Sequence, residues 1–428
     1  MRRLKRRAVC VLLLTAAMIC GLCVYTARFA INGRRWALSQ VNRAVYSGGR
    51  LATGAVTDRN GELLASLYGD GPVFAASETL RRASLHAVGD IQGNIGTGAL
   101  SAFKTRLAGY DIVNGVYSRD GEGGSVALTV DSRLQAAAYD ALAGRRGCVA
   151  VSNYKTGEIL CMVSSPTFDP ANPPADVADD ARYEGVYINR AVSSAYTPGS
   201  VFKLVTAAAA IENIGDIYDR VFECTGSLQV GDGTVTCTRP HGSLTFEDAL
   251  AVSCNTSFAQ LSLELGADTL ARYAERLGLT QRHEVDGITT AAGRFDAADE
   301  GTAELAWSGV GQYNDTVCPV SLLRLVGAVA NGGTAAELRL VFPGRLASLL
   351  PGGAQRILSE DTASRLALMM NYNVSHTYGA GNFPGLELYA KSGTAEVGGD
   401  RSPHAWFTGY ITNSGLPLAF VVVVENAG

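Results

Sequence analysis

The chain has 428 residues, enough for an anchor and one or two domains with substantial cores. Hydrophobic residues make up 47% and charged residues 18%, which excludes a disordered chain. The net charge of -4 gives no basis for a nucleic-acid partner, and 49 glycines point to many turns.

Residues 1–7 read MRRLKRR, and 8–30 form an apolar run, AVCVLLLTAAMICGLCVYTARFA. About 20 apolar residues span a bilayer as a helix, and a cationic flank stays in the cytoplasm. The run exceeds the roughly 7–15-residue core of a cleaved signal peptide and has no clean small-x-small cleavage site. The expectation is a cytoplasmic tail over 1–7, an uncut single-pass anchor over 8–30, and the rest of the chain outside the membrane.

Residues 31–125 read as a short membrane-proximal region. Within it, GAVTDRNGELLA at 54–65 predicts strand, turn and strand around Asn60-Gly61. The glycine-rich DGEGG at 120–124 marks a boundary, after which 126–428 reads as the main domain. It opens with a strand at 126–130 and a helix at 132–142 capped by Asp131 or Ser132. Strands at 147–152 and 158–164 follow, joined by a turn at Lys155-Thr156-Gly157, and a proline-rich loop covers 166–174. Helices are expected at 201–212, 246–252, 256–265, 267–277, 319–331 and 359–370. Strands at 388–391, 405–411 and 418–424 close the chain.

Three of the nine cysteines lie in the anchor, where they act as small apolar residues. Cys224 and Cys237 flank TGSLQVGDGTVT, a hairpin pattern with Gly-Asp-Gly at its tip. A disulfide between them is the preferred reading in an oxidising compartment. Free thiols, or a zinc site completed by His241 and Asp232, are the alternatives, and no metal enters the expected site.

Only five of the 36 basic residues are lysine: Lys5, Lys104, Lys155, Lys203 and Lys391. Arginine stays protonated at any working pH, whereas a desolvated lysine can become a base. Ser-x-x-Lys occurs at Ser101–Lys104, Ser152–Lys155 and Ser200–Lys203, Lys-[Ser/Thr]-Gly at Lys155 and Lys391, and Ser-x-Asn at Ser253-Cys254-Asn255. Context separates them. Ser200 follows Thr197-Pro198-Gly199 and opens an apolar helix, so Lys203 falls on the same face and its amine can take the serine proton. The helix dipole and Lys391 would both disfavour the ammonium form. Ser253 and Asn255 sit in a loop between helices, where the hydroxyl can relay a proton and the amide can hold a substrate carbonyl. Lys391-Ser392-Gly393-Thr394 falls on an edge-strand pattern whose glycine would admit a ligand backbone. The N–H groups of Ser200 and Thr394 would form an oxyanion hole. Ser152–Lys155, entering a turn, and Ser101–Lys104, on an amphipathic surface, read as chance matches.

In the order YTPGSVFK, SCNTSF, KSGTAE, the chain resembles a penicillin-binding protein of the monofunctional class B branch. KTGEILCMVSSPTFDPAN, NRAV and HAWFTGY extend the likeness over 126–426, and GAVTDRNGELLA resembles that branch's membrane-proximal opening. The resemblance implies an α/β (α+β) transpeptidase fold, shared with serine β-lactamases, with a central antiparallel five-stranded sheet flanked by helices. It implies a peptidoglycan D,D-transpeptidase of the bacterial cell membrane that works without a cofactor. Its catalytic residues would be Ser200, Lys203, Ser253, Asn255 and Lys391, with Ser392, Gly393 and Thr394 binding substrate. Stem peptides and β-lactams would be its ligands and a SEDS-family glycosyltransferase its membrane partner. The same motifs serve D,D-carboxypeptidases and membrane-anchored β-lactam sensors, which stay as alternatives. Two departures stand out: family members add a helix after the strand LAFVVVVENAG, at which this sequence ends, and Gly311-Gln312-Tyr313-Asn314 lacks the second glycine of the usual GQG.

Overall fold

The computed structural model describes residues 2–37, 53–67, 71–107, 110–111, 116–117, 124–177, 179–296, 298–342, 353–399, 401–413, 415 and 417–427. The glycine-rich break expected at 120–124 falls almost wholly outside them. The chain divides into two units. The smaller comprises Met1–Val56, Ala65–Val73 and Phe103–Val126, and the larger Thr57–Leu64, Phe74–Ala102 and Ala127–Gly428. The larger unit therefore includes stretches that lie before the boundary expected at 125.

In the smaller unit, helix α1 runs Arg2–Ala37 without a break. Over Arg2–Asn32 it is long and apolar enough to cross a membrane. Its 36 residues reach roughly 54 Å at about 1.5 Å each, well beyond the roughly 30 Å of a hydrocarbon core. Leu12, Leu14 and Met18 stand exposed along it, a surface that suits lipid.

Strands β1 (Thr53–Thr57) and β2 (Leu63–Leu67) flank the turn expected at Asn60-Gly61. The Asp58 carboxylate accepts the N–H groups of Asn60 and Glu62, and Gly61 takes φ +87°, a value glycine adopts without strain. In the larger unit, helix α2 (Glu78–Val88) is capped by Ser77, whose hydroxyl accepts the Leu80 N–H. Arg81 clamps Asp169 with two parallel bonds of 2.7 and 2.8 Å, and Gln135 Nε2 donates to Ala83 O. These long-range ties explain why α2 packs with the larger unit, a placement that local sequence did not signal.

Helix α3 (Ser132–Leu142) is capped by Asp131, which accepts from Arg133 and Leu134. Strands β3 (Gly147–Asn153) and β4 (Ile159–Ser165) follow, then helix α4 (Lys203–Asn213). A hairpin pairs β5 (Ser227–Val230) with β6 (Gly233–Thr236). Helices α5 (Phe246–Ala251), α6 (Asn255–Leu265), α7 (Ala267–Arg276), α8 (Pro319–Ala330) and α9 (Glu360–Asn373) precede the closing strands. Those are β7 (Leu388–Ala395), β8 (His404–Ile411) and β9 (Leu418–Val424).

The expected five-stranded antiparallel sheet is present, in the order β7-β8-β9-β3-β4. β9 buries alternate residues, Ala419, Val421 and Val423, the period of a strand in a sheet. On one face, Ala138 and Leu142 of α3 pack with Val151, Cys161 and Val163. On the other lies α8, with Pro319 in its first turn; a Cβ at Gly327 would touch the Ala419 side chain at 3.8 Å. α4 is buried from Lys203 to Ala210 and packs against α6, α7 and α9. Its run of four alanines combines high helix propensity with the small size that lets neighbouring helices approach.

β7 runs four residues beyond the strand end expected at 391 and so takes in all of Lys391-Ser392-Gly393-Thr394. Pairing with β8 from Leu388↔Ile411 to Ala395↔His404 holds this stretch extended despite its glycine.

Candidate active site

Ser200 sits in a 3₁₀ turn, Gly199–Phe202, that leads directly into α4 at Lys203. Two glycines make that position possible. Gly199 takes φ +55° and Gly311 φ +89°. A Cβ on Gly199 would lie 2.3 Å from Thr394 O, and one on Gly311 would lie 2.2 Å from Gly199 O. Gly199 N–H donates to Gly311 O at 2.8 Å, so the turn is pressed between β7 and the loop after Ala303–Ser308. Gly393 belongs to the same contact: its Cβ would sit 3.0 Å from Pro198 O and from Val201. It therefore admits the serine's own turn, and it also lines the cleft.

Lys203 is fully buried and Lys391 is 1% exposed. Lys203 Nζ donates to Ser253 O at 2.6 Å, to Asn255 Oδ1 at 2.8 Å and to Ser253 Oγ at 3.2 Å. Lys391 Nζ donates to the same Ser253 Oγ at 3.0 Å and to Ser392 O at 2.9 Å. One hydroxyl thus bridges two amines carried by elements nearly two hundred residues apart. Burial pulls the Lys203 ammonium down to about 7. Lys391 is lowered well below its usual value by burial and then by the Lys203 charge. Desolvation brings a neutral amine within reach at working pH.

Ser253 holds φ +56°, a region that costs a non-glycine residue about 1–3 kcal/mol and is found at functional sites. Asn255 opens α6; its Oδ1 accepts from Lys203 while its Nδ2 donates to Thr236 O at 2.8 Å. Ser392 is fixed by Tyr378, whose hydroxyl donates to Ser392 Oγ at 2.8 Å and accepts the Ser392 N–H at 2.6 Å. Asn373 Nδ2 donates to that same phenol oxygen. Tyr378 and Thr236 lie in no motif, and only their contacts reveal them.

Ser200, Ser253, Asn255, Ser392, Gly393 and Thr394 all line one cleft of about 800 Å3. The two lysines lie beneath its floor. The loop that lacks the usual second glycine also faces the cleft. Its Gln312 Nε2 donates to Thr394 O at 3.4 Å, and Tyr313 keeps the left-handed backbone, φ +68°, that a glycine would favour there. The expected chance matches stay apart: Lys155 and Lys104 are exposed and neither lines the cleft.

Cys224 and Cys237, expected to pair, are thiols with sulfurs 3.8 Å apart. They are not cross-strand partners in the hairpin. β5 pairs with β6, whereas Cys224 ends Phe222–Cys224 and stands opposite Gly242.

An arrangement of serine, two buried amines and a bridging hydroxyl can carry acyl transfer. Residues 147–428 match the penicillin binding protein transpeptidase domain. The chain is 28% identical over 361 residues to peptidoglycan D,D-transpeptidase PbpA of Mycolicibacterium smegmatis, covering 77% of this chain and 73% of that one. It is 30% identical to stage V sporulation protein D of Bacillus subtilis over 72% of this chain and 51% of that one. Among solved structures, penicillin-binding protein A of M. tuberculosis, as a ceftriaxone acyl-enzyme complex, superposes with a TM-score of 0.76 at 25% identity, covering 87% and 92% of the two chains. The D,D-transpeptidase domain from Eggerthella lenta gives 0.74 at 28% identity over 89% and 94%. By its domain match, its sheet and its motifs, this chain belongs to the penicillin-binding protein transpeptidase family.

Proposed function

We propose that this chain is a membrane-anchored peptidoglycan D,D-transpeptidase with Ser200 as nucleophile. Neutral Lys203 takes the Ser200 proton as Oγ attacks the penultimate D-alanine carbonyl of a stem peptide. The N–H groups of Ser200 and Thr394 receive the oxyanion. Ser253 Oγ, bonded to both amines, passes the proton to the leaving nitrogen, and terminal D-alanine departs. An amine of a neighbouring stem then attacks the ester and gives up a proton, which Lys203 returns to Ser200 Oγ as the ester bond breaks, forming the cross-link and freeing Ser200. Lys391 polarises the relay and draws the substrate carboxylate, Asn255 holds a peptide carbonyl, and Ser392 and Thr394 present the edge of β7 to the substrate. β-Lactams acylate the same serine.

The observation that carries this reading is the shared Ser253 Oγ, within 3.2 Å of Lys203 Nζ and 3.0 Å of Lys391 Nζ. The anchor is α1, with residues 1–7 cytoplasmic and the catalytic unit outside; the branch also points to a SEDS-family glycosyltransferase as membrane partner. Incubation with lipid-linked glycan strands and a glycosyltransferase, followed by mass analysis of muropeptides, tests the activity. Cross-linked dimers are expected. Trimmed monomers alone would make the protein a carboxypeptidase, and unaltered pentapeptides with stable penicillin labelling would make it a sensor.

A further inference from the structure

Four potential metal ligands converge at one wall of the cleft from separate points of the chain. Cys224 ends a short strand, Cys237 follows β6, His241 precedes the strand Gly242–Leu244, and Cys254 is the middle residue of Ser253-Cys254-Asn255. Their ligand atoms all lie within 4.8 Å of one another. The sulfurs of Cys224 and Cys237 are 3.8 Å apart, those of Cys237 and Cys254 are 3.8 Å apart, and Cys224 Sγ lies 3.4 Å from His241 Nδ1. Tetrahedral zinc, about 2.3 Å from sulfur and about 2.0–2.1 Å from nitrogen, sets edges of roughly 3.8 Å between sulfurs and roughly 3.6 Å from sulfur to nitrogen. These three spacings match those edges within a few tenths of an ångström, and the remaining pairs lie within 4.8 Å. A disulfide would use only two of the four groups and require its sulfurs at about 2.05 Å.

The surroundings fit thiolate ligands as well. The N–H groups of Asn255 and Thr256, at the start of α6, point at Cys237 Sγ from 3.2 and 3.4 Å. Ser257 Oγ donates to Cys254 Sγ at 3.1 Å. Donors of this kind favour the deprotonated sulfur that binds metal.

We propose that Cys224, Cys237, Cys254 and His241, through Nδ1, bind one Zn2+. Three thiols release their protons on binding, and the imidazole binds neutral. Four protein ligands leave no open position, so the ion is structural. What it braces is the catalytic loop: Cys254 separates Ser253 from Asn255, and Cys237 follows Thr236, whose carbonyl accepts Asn255 Nδ2. Tying Cys237 to Cys254 through the metal fixes where Ser253 and Asn255 meet Lys203. Asp232, the fourth ligand considered from sequence, is exposed at the hairpin tip, and Cys254 takes its place.

Metal content tests this independently of the transpeptidase reading. The full chain, purified in detergent without chelator after zinc-replete growth, is expected to carry one zinc per chain. Its cobalt-substituted form should show thiolate-to-cobalt charge transfer and tetrahedral ligand-field bands. Cys224→Ser and His241→Ala, both outside the catalytic set, each remove a direct ligand and should weaken zinc binding by more than the roughly 10–100-fold that loss of a group behind a ligand costs, and should slow penicillin acylation. Adding zinc back to stripped wild type should restore the rate. Substoichiometric zinc, an octahedral cobalt spectrum, or a Cys224–Cys237 disulfide recovered from thiol-blocked membranes would each overturn the site. Should either variant fail to fold, the wild-type cobalt spectrum decides.

Discussion

Two stretches of the larger unit share the spelling Ser-x-x-Lys and fold into opposite settings. At 152–155 the serine is buried in β3, while Lys155 stands exposed in a turn where Asn153 Oδ1 accepts the N–H groups of Lys155 and Thr156. At 200–203 the serine lines an open cleft and the lysine is fully buried. Proton chemistry needs the second arrangement. The hydroxyl must meet substrate, and the amine must be desolvated enough to lose its charge.

Exchanging residues between the two stretches tests that contrast. The largest effect is expected from Ser200→Ala, which should abolish labelling by fluorescent penicillin, while Ser152→Ala labels like wild type. A labelled Ser200→Ala protein would remove the basis for the comparison. Next comes Lys203→Arg, which keeps a charge but cannot supply a base. Stopped-flow acylation should slow by about 10²–10⁴-fold, the usual contribution of general base catalysis, with Lys155→Arg unchanged.

The pH profile sharpens the same point. Lys203, drawn down to about 7 by burial, must be neutral to accept the serine proton. Acylation should therefore fall about tenfold per unit as pH drops below about 7 and level off above it. A rate constant independent of pH across about 5–8 would show that this amine is not the base.

The smallest effects concern the glycines that shape both turns. A Cβ on Gly157 would lie 1.8 Å from Glu337 O, as one on Gly199 would lie 2.3 Å from Thr394 O, and both glycines hold positive φ. Each Gly→Ala change should cost about 1–3 kcal/mol, read as a lower Tm. Only Gly199→Ala should also slow acylation of the folded fraction. Equal loss of acylation in both would mean that the turn at Ser200 has no special part in placing the nucleophile.

Much of the fold and site was legible because its signals are local. The apolar run at 8–30, the cap at Asp131, the apolar strand run at 418–424 and the three short motifs are each spelled within a short stretch of chain. Even the helix start at Lys203, two residues late, and the strand end at Ala395, four residues late, reflect only the usual vagueness of boundaries. Less legible were features that depend on two distant segments meeting. The packing of the Pro198 turn against Gly393 is one such feature, and Tyr378 carries no motif at all.

The sequence alone determined which chemistry the chain can attempt: a serine ahead of a lysine on one helical face, a hydroxyl and an amide in a loop, a second lysine on a strand. Tertiary structure decided which copies of those patterns are active, because burial depth is set by packing and not by spelling. It also brought Cys224, Cys237, His241 and Cys254 to one point. Sequence spacing had linked the first three, but the fourth ligand lay inside a catalytic motif, and only the folded chain places its sulfur beside theirs.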